Sequence, residues 1–125
     1  MMNERTDRET TGREGEDEAC RALRKQGYRI IARNWCCRFG EIDIIAREDD
    51  VLVFVEVKLR TRGDFGGASA AVTPRKQARI ISSARCFFAL TQADLPARFD
   101  VVAIDEGEVR LIRAAFEEDP CTPGR

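Results

Sequence analysis

The most regular pattern in the chain is Val51–Leu59, VLVFVEVKL, an apolar run broken only by Glu56 and Lys58. Period-two alternation predicts a strand with Val51, Val53, Val55 and Val57 on one face and Leu52, Phe54, Glu56 and Lys58 on the other. Residues 40–47 alternate as well. Ile42, Ile44 and Ala46 are expected on one side, with Glu41, Asp43 and Ile45 on the other. The acidic turn Glu48-Asp49-Asp50 between these runs predicts an antiparallel hairpin. Upstream, isoleucine-rich residues 28–34 read as a short strand. Before it, Ala19, Ala22 and Leu23 give a modest apolar stripe to a helix over residues 13–26, with Gly27 as its C-terminal cap. Residues 61–72 contain Gly63, Gly66 and Gly67 and predict a mobile loop. Thr73 and Pro74 then open a second helix, whose Gln77, Ile80, Ile81, Ala84, Phe87 and Phe88 keep helical spacing to about residue 90. Strands at 99–104 and 109–113 follow, joined by a turn at Gly107.

The order helix, three strands, helix, then one or two strands predicts an α/β protein with a mixed central sheet flanked by helices. The helix at 74–90 is a crossover that would set 99–104 parallel to 51–59 or a neighbour. Within 125 residues this makes one domain, over residues 11–116, with polar segments 1–10 and 117–125 expected to be disordered. The formal net charge of −1 says nothing about partners, but its distribution does. Acids dominate from Glu4 to Glu18 and from Asp100 to Asp119, whereas residues 19–40 carry no acid and residues 58–85 only Asp64. Such a chain can present a basic face, or simply two solvated surfaces.

The chain has no histidine, which removes Ser-His-Asp and Cys-His catalysis and the usual zinc sets. Its five cysteines, Cys20, Cys36, Cys37, Cys86 and Cys121, form no CxxC pair, and no apolar run is long enough to cross a membrane. Free thiols in a reducing, cytoplasmic setting are the simplest expectation, and soft-metal binding by Cys36-Cys37 is disfavoured.

The chemistry therefore falls to carboxylates and bases. Glu56 and Lys58 leave the same face of an otherwise apolar strand, which is costly unless they are paired, hydrated or holding an ion. In the predicted hairpin, Asp43 lies opposite Glu56. Two carboxylates side by side repel, and a hard divalent cation such as Mg²⁺ or Mn²⁺ would resolve the repulsion. Lys58 could then orient or deprotonate a bound water, or stabilise charge on a phosphate. The competing reading is a Glu–Lys ladder on a half-exposed sheet, with Asp43 as a cross-strand neighbour. Glu41 shares the face of Asp43 and could support it. Arg60, Arg62, Arg75, Lys76 and Arg79 are candidate nucleic-acid-binding residues, or else a solvated basic surface. Tyr28, Trp35 and Phe39 fit core or rim positions better than base-stacking platforms.

Several motifs carry a family resemblance. Gly12-Arg13-x-Gly15-Glu16-x-x-Ala19, Gly27-Tyr28, Arg33-Asn34, Gly40-Glu41-Ile42-Asp43-Ile44-Ile45-Ala46 and Val53-Phe54-Val55-Glu56-Val57-Lys58 begin the match. Phe65-Gly66, Ala71-Val72, Lys76, Arg79 and Arg98-Phe99-Asp100-Val101-Val102 continue it. Together they resemble the YraN-like (UPF0102) family of small bacterial proteins, regarded as part of the PD-(D/E)xK endonuclease-like superfamily and distantly similar to archaeal Holliday junction resolvases. The resemblance covers residues 12–105 and implies a restriction-endonuclease-like αβββαβ core. It implies that Asp43, Glu56 and the carbonyl of Val57 bind metal and that Lys58 serves catalysis. Glu16 would correspond to the additional acid of resolvase-like members. Lys76 stands where such proteins often carry a polar residue near the site. Ile42-Asp43 replaces the eponymous Pro-Asp.

Three readings follow. The first is a Mg²⁺- or Mn²⁺-dependent endonuclease acting on DNA, branched or structured forms included. The second is a non-catalytic nucleic-acid-binding module on the same scaffold, and the third an adaptor domain that forms homodimers through its sheet edge.

Overall fold

The computed structural model describes residues 4–59, 72–105 and 108–118, with side chains from Arg13 onward. The elements run α1 (Glu4–Lys25), β1 (Arg29–Cys37), β2 (Gly40–Glu48), β3 (Val51–Leu59), α2 (Pro74–Thr91), β4 (Ala97–Asp105) and β5 (Glu108–Phe116). This is the expected αβββαβ order, extended by β5. The strands form one mixed sheet in sequence order, antiparallel throughout except for the parallel β3–β4 pair. The crossover helix α2 imposes that parallel pairing, since two parallel neighbours cannot be joined by a tight turn.

Helix α1 begins at Glu4, earlier than its apolar stripe indicates. It ends as the glycine predicts: Gly27 adopts φ +93°, and the Tyr28 N–H returns to the Leu23 carbonyl at 3.0 Å. Thr73 caps α2, its hydroxyl accepting from the Lys76 N–H at 3.1 Å. The expected loop over 61–72 lies outside the described residues apart from Val72, as do the turn at Gly107, Cys121 and the segments 1–3 and 119–125.

Each helix covers one face of the sheet. Ala19, Cys20 and Leu23 of α1 pack on Ile44, Ala46, Val53, Val55 and Val102. On the other side Ile80, Ala84 and Phe87 of α2 meet Ile45, Leu52, Phe54, Val101 and Ala103. Phe54 lies at the centre of this second layer, its ring 5.8 Å from those of Phe87, Phe88 and Phe99. Among the described residues no helix is long and apolar enough to cross a membrane.

Strict alternation fails within β2. Ile42, expected beside Ile44 and Ala46, packs with Ile45 and Phe54 under α2. The cause is local. The β2–β3 ladder stops at the Ile44–Val55 pair, and Asn34, bracketed by the Arg33–Ile44 and Trp35–Ile42 pairs of β1–β2, takes a left-handed φ of 50°. Asn tolerates that conformation better than most residues, and a left-handed residue within a strand re-aims the side chains around it without shifting the register. Asp43 sits at this break.

Candidate functional site

The five β2–β3 pairs from Glu48–Val51 to Ile44–Val55 keep the register that the hairpin predicted, which makes Asp43 and Glu56 the next residues on each strand. No main-chain pair forms there. The Asp43 carboxylate takes the place of a carbonyl, its Oδ2 accepting the Val57 N–H at 2.8 Å. Glu56 points to the α2 face and is buried, 4% exposed, where its carboxylate forms an ion pair with Lys76.

Two more acids reach Asp43, Glu41 from its own strand and Glu16 from α1. Carboxylate oxygens of Glu16, Glu41 and Asp43 lie within 4.8 Å of one another. Glu16 comes from α1, and Asn34 and Arg33 of β1 hold it: Asn34 Nδ2 donates to Glu16 Oε1 at 2.8 Å, and the Arg33 guanidinium lies 3.5 Å away. Arg33 also pairs with Asp17 at 2.8 Å. Asp43 is thus crowded by acids on both sides. Burial, the negative charge of Glu56 and a carboxyl–carboxyl hydrogen bond to it push Asp43 well above the ordinary carboxylate range. The Val57 N–H opposes this rise, and Glu16 adds to it. Lys76 serves Glu56, so Asp43 is the carboxyl left to take a proton when no other cation is present.

The cluster opens into a cleft of about 480 Å³ lined by Gly40, Glu41, Asp43, Glu56, Thr73, Arg75, Lys76, Arg79 and Ile80. Acids from β2 and β3 line one side, and bases from the first turns of α2 line the other. The structure therefore brings together Asp43, Glu56, Glu16 and Glu41 with Arg75, Lys76 and Arg79. Lys58 is half-buried on β3 and is not among the residues lining the cleft. Arg60 and Arg62 lie outside the described residues. The Val57 peptide participates through its N–H. Of the aromatic residues, Tyr28 is buried, Trp35 packs edge-on against Phe87 at 5.5 Å, and Phe39 is an exposed rim residue beneath the Arg38 guanidinium.

Sequence reasoning missed Arg33 and Asn34 as the clamp on Glu16, and Thr73 as part of the cleft wall. A signal existed for Asn34. Asparagine is depleted in strands and enriched at left-handed positions, so Asn34 within a strand marks a break in its regular backbone.

Fold and site define a small α/β domain whose mixed sheet carries an acidic cluster at the break between two strands, facing a basic helix. The chain belongs to the uncharacterised protein family UPF0102, whose model matches residues 15–104. It is 47% identical over 117 residues to a UPF0102 protein of Herminiimonas arsenicoxydans, covering 94% of each chain. A UPF0102 protein of Nitrosomonas europaea is 47% identical over 87% of this chain and 98% of its own. One from Lachnoclostridium phytofermentans is 48% identical over 82% and 88%.

Proposed function

We propose that this protein is a metal-dependent endonuclease of the PD-(D/E)xK type that hydrolyses phosphodiester bonds in DNA, with branched or structured DNA as the substrate form to test first. The observation that carries the reading is the Asp43–Glu56 carboxylate pair, set at the end of a strand ladder and facing the cleft wall formed by Arg75, Lys76 and Arg79. A structural ion pair would match acids with bases, yet Asp43 is surrounded by further acids. The donors are oxygens alone, with neither histidine nor thiolate, which suits Mg²⁺ or Mn²⁺ and not zinc.

Asp43 and Glu56, with the Val57 carbonyl, would hold the ion, and Glu16 and Glu41 would close its outer side. When bound, the ion lowers the pKa of a water and offsets charge on the phosphoryl oxygens. The chain supplies the rest. Arg75 and Arg79 draw the DNA backbone along α2, and Lys76 exchanges its pairing with Glu56 for a phosphate. Lys58, two residues along from Glu56, orients the attacking water or supports the developing charge. The Val57 N–H fixes the Asp43 carboxylate through Oδ2 and so orients it at the end of the ladder.

Calorimetric titration of Mg²⁺ and Mn²⁺ into wild type and Asp43→Ala, followed by cleavage of a four-way junction and a linear duplex, tests this. Metal-dependent heat and cleavage should appear in wild type and vanish in the variant. Heat absent from both proteins, or cleavage that survives the substitution, overturns the proposal. The position of Lys58 outside the cleft lining favours a second reading, a nucleic-acid-binding module without catalysis. That reading expects salt-sensitive binding that persists in Asp43→Ala with no cleavage by either protein.

A further inference from the structure

Beside the cleft lies a cluster that the proposed hydrolysis does not use. Cys37 ends β1, immediately before the two-residue turn into β2, and its Sγ donates to Ser83 Oγ on α2 at 3.4 Å. Ser83 is buried, 1% exposed, and Cys86 follows it by three residues, so both project from one side of the helix. Cys86 is thereby set one helical turn from the hydroxyl that Cys37 touches, and the main-chain N–H groups of Phe39 and Gly40, in the turn that follows Cys37, add to its polar surroundings. All four groups can donate to a Cys37 thiolate. Burial pushes the Cys37 thiol up, but the Ser83, Phe39, Gly40 and Cys86 hydrogen bonds outweigh it, and Cys37 lies below the ordinary thiol value. Cys86 is displaced the opposite way, by burial and by its neighbour Cys37.

The remaining described thiols are placed differently. Cys20 is buried on the inner side of α1 in the other core layer, and Cys36 is exposed with its Sγ donating to the Asn34 carbonyl at 3.5 Å. Only the Cys37–Cys86 pair, among the described residues, sets one thiol against a buried helix hydroxyl with a second thiol one turn along the same helix face.

We propose that Cys37 and Cys86 are a peroxide-sensitive dithiol, which closes to a reversible disulfide joining the end of β1 to α2. The Cys37 thiolate attacks one oxygen of a hydroperoxide. The O–O bond breaks, the second oxygen leaves as water or alcohol, and Cys37 becomes a sulfenic acid. The Cys86 thiol then attacks that sulfur and expels water as the S–S bond forms. Two thiols lose two electrons and two protons, and one peroxide is reduced. A dithiol reductant reverses the change by exchange. The placement gives the bond a consequence. The β1–β2 turn leads into Gly40 and Glu41, and α2 carries Arg75, Lys76 and Arg79, so the disulfide ties together both walls of the cleft.

The test is oxidation of the full-length protein by stoichiometric hydrogen peroxide, read by intact mass and non-reducing peptide mapping. Wild type should lose two hydrogens per chain, yield a Cys37–Cys86 peptide and regain its mass in dithiothreitol. Cys36→Ser should behave like wild type. Cys86→Ser should stop at a sulfenic acid on Cys37 that dimedone traps. In Cys37→Ser, oxidation of Cys86 should slow by about tenfold or more, because the thiolate is the attacking species. Circular dichroism on each variant before oxidation establishes that it is folded. A Cys36–Cys37 or intermolecular disulfide, no disulfide at all, or sulfenic acid on Cys86 instead of Cys37 overturns the proposal. Metal binding is not measured, so the outcome stands apart from the endonuclease reading.

Discussion

Asp43 and Asp100 occupy nearly the same local sequence, Ile42-Asp43-Ile44-Ile45 against Phe99-Asp100-Val101-Val102, and meet opposite fates. Each sits where a strand ladder is interrupted, and each takes a main-chain N–H from the neighbouring strand. Val57 donates to Asp43 at 2.8 Å, and Ala114, at the β4–β5 irregularity, donates to Asp100 at 3.0 Å. Beyond that donor the surroundings diverge. Asp100 is fully buried and receives the Tyr28 hydroxyl at 2.7 Å and two contacts from Arg98, at 2.9 and 3.0 Å. Arg98 continues to Glu48, which Arg113 closes from outside at 3.0 Å. Charges alternate along this chain, and it ends in solvent. Asp43 instead meets Glu56, Glu16 and Glu41. A buried carboxylate with matched donors holds the fold; one among other carboxylates is held by the fold and carries a repulsion that a proton relieves.

The largest expected effect breaks the satisfied side. Asp100→Ala strips the acceptor from the buried Tyr28 hydroxyl and leaves the half-buried Arg98 with Glu48 alone, and should cost about 3–5 kcal/mol in urea unfolding. A loss below about 1 kcal/mol would mean that Asp100 is not structural and that the contrast is void. The Asp43→Asn variant should move the other way. The folded-state pKa of Asp43 lies above its unfolded value, so its contribution to stability is full below the unfolded pKa. That contribution fades as pH rises through the folded pKa. Without metal, wild type should therefore weaken between mildly acid and alkaline pH, and asparagine, which keeps the neutral shape, should remove this decline. At pH 9 we expect the variant to be more stable by about 1–2 kcal/mol, discounting for the open cleft. Adding Mn²⁺ should raise the melting temperature of wild type and leave the variant where it was. A variant less stable than wild type at pH 9 would place Asp43 with Asp100.

The sequence distinguished these two aspartates only in part. Asp43 stood out because a short acidic turn fixes the hairpin register, and the register carries Glu56 to its side. Asp100 offered no such route. Its partner Tyr28 lies 72 residues away and meets it only after the crossover places β4 beside β3. Strand and helix positions were legible because the apolar spacing is strong in 51–59 and 74–90. The face of Ile42 was not, since period-two counting cannot see the irregularity at Asn34. The cluster around Asp43 draws on α1, β2 and β3, so although Arg75, Lys76 and Arg79 could be named from sequence, the Arg33 and Asn34 clamp on Glu16 became visible only once α1 was docked.

The smallest predicted effect sharpens the comparison by its sign. Glu48 is pushed up by desolvation, but hydrogen bonds from Arg113 and Arg98 outweigh this and hold it below the usual carboxylate value. A folded pKa depressed in this way contributes stability above the unfolded pKa, and that stability is lost as pH falls through the folded one. The Glu48 end thus weakens toward acid, whereas the Asp43 end weakens toward base. Arg113 is 44% exposed, so solvent screens its half of the pair, and Arg113→Ala should cost no more than about 1 kcal/mol near pH 7. The difference from wild type should shrink toward zero as the pH falls far enough to protonate Glu48. In Asp43→Asn the same substitution should cost the same amount, because the two carboxylates sit in networks that share no partner. Urea midpoints for the four proteins at acid, neutral and alkaline pH decide it. A penalty that grows toward acid, or one that changes when Asp43 is altered, would show that the two networks communicate through β2, which carries both Asp43 and Glu48.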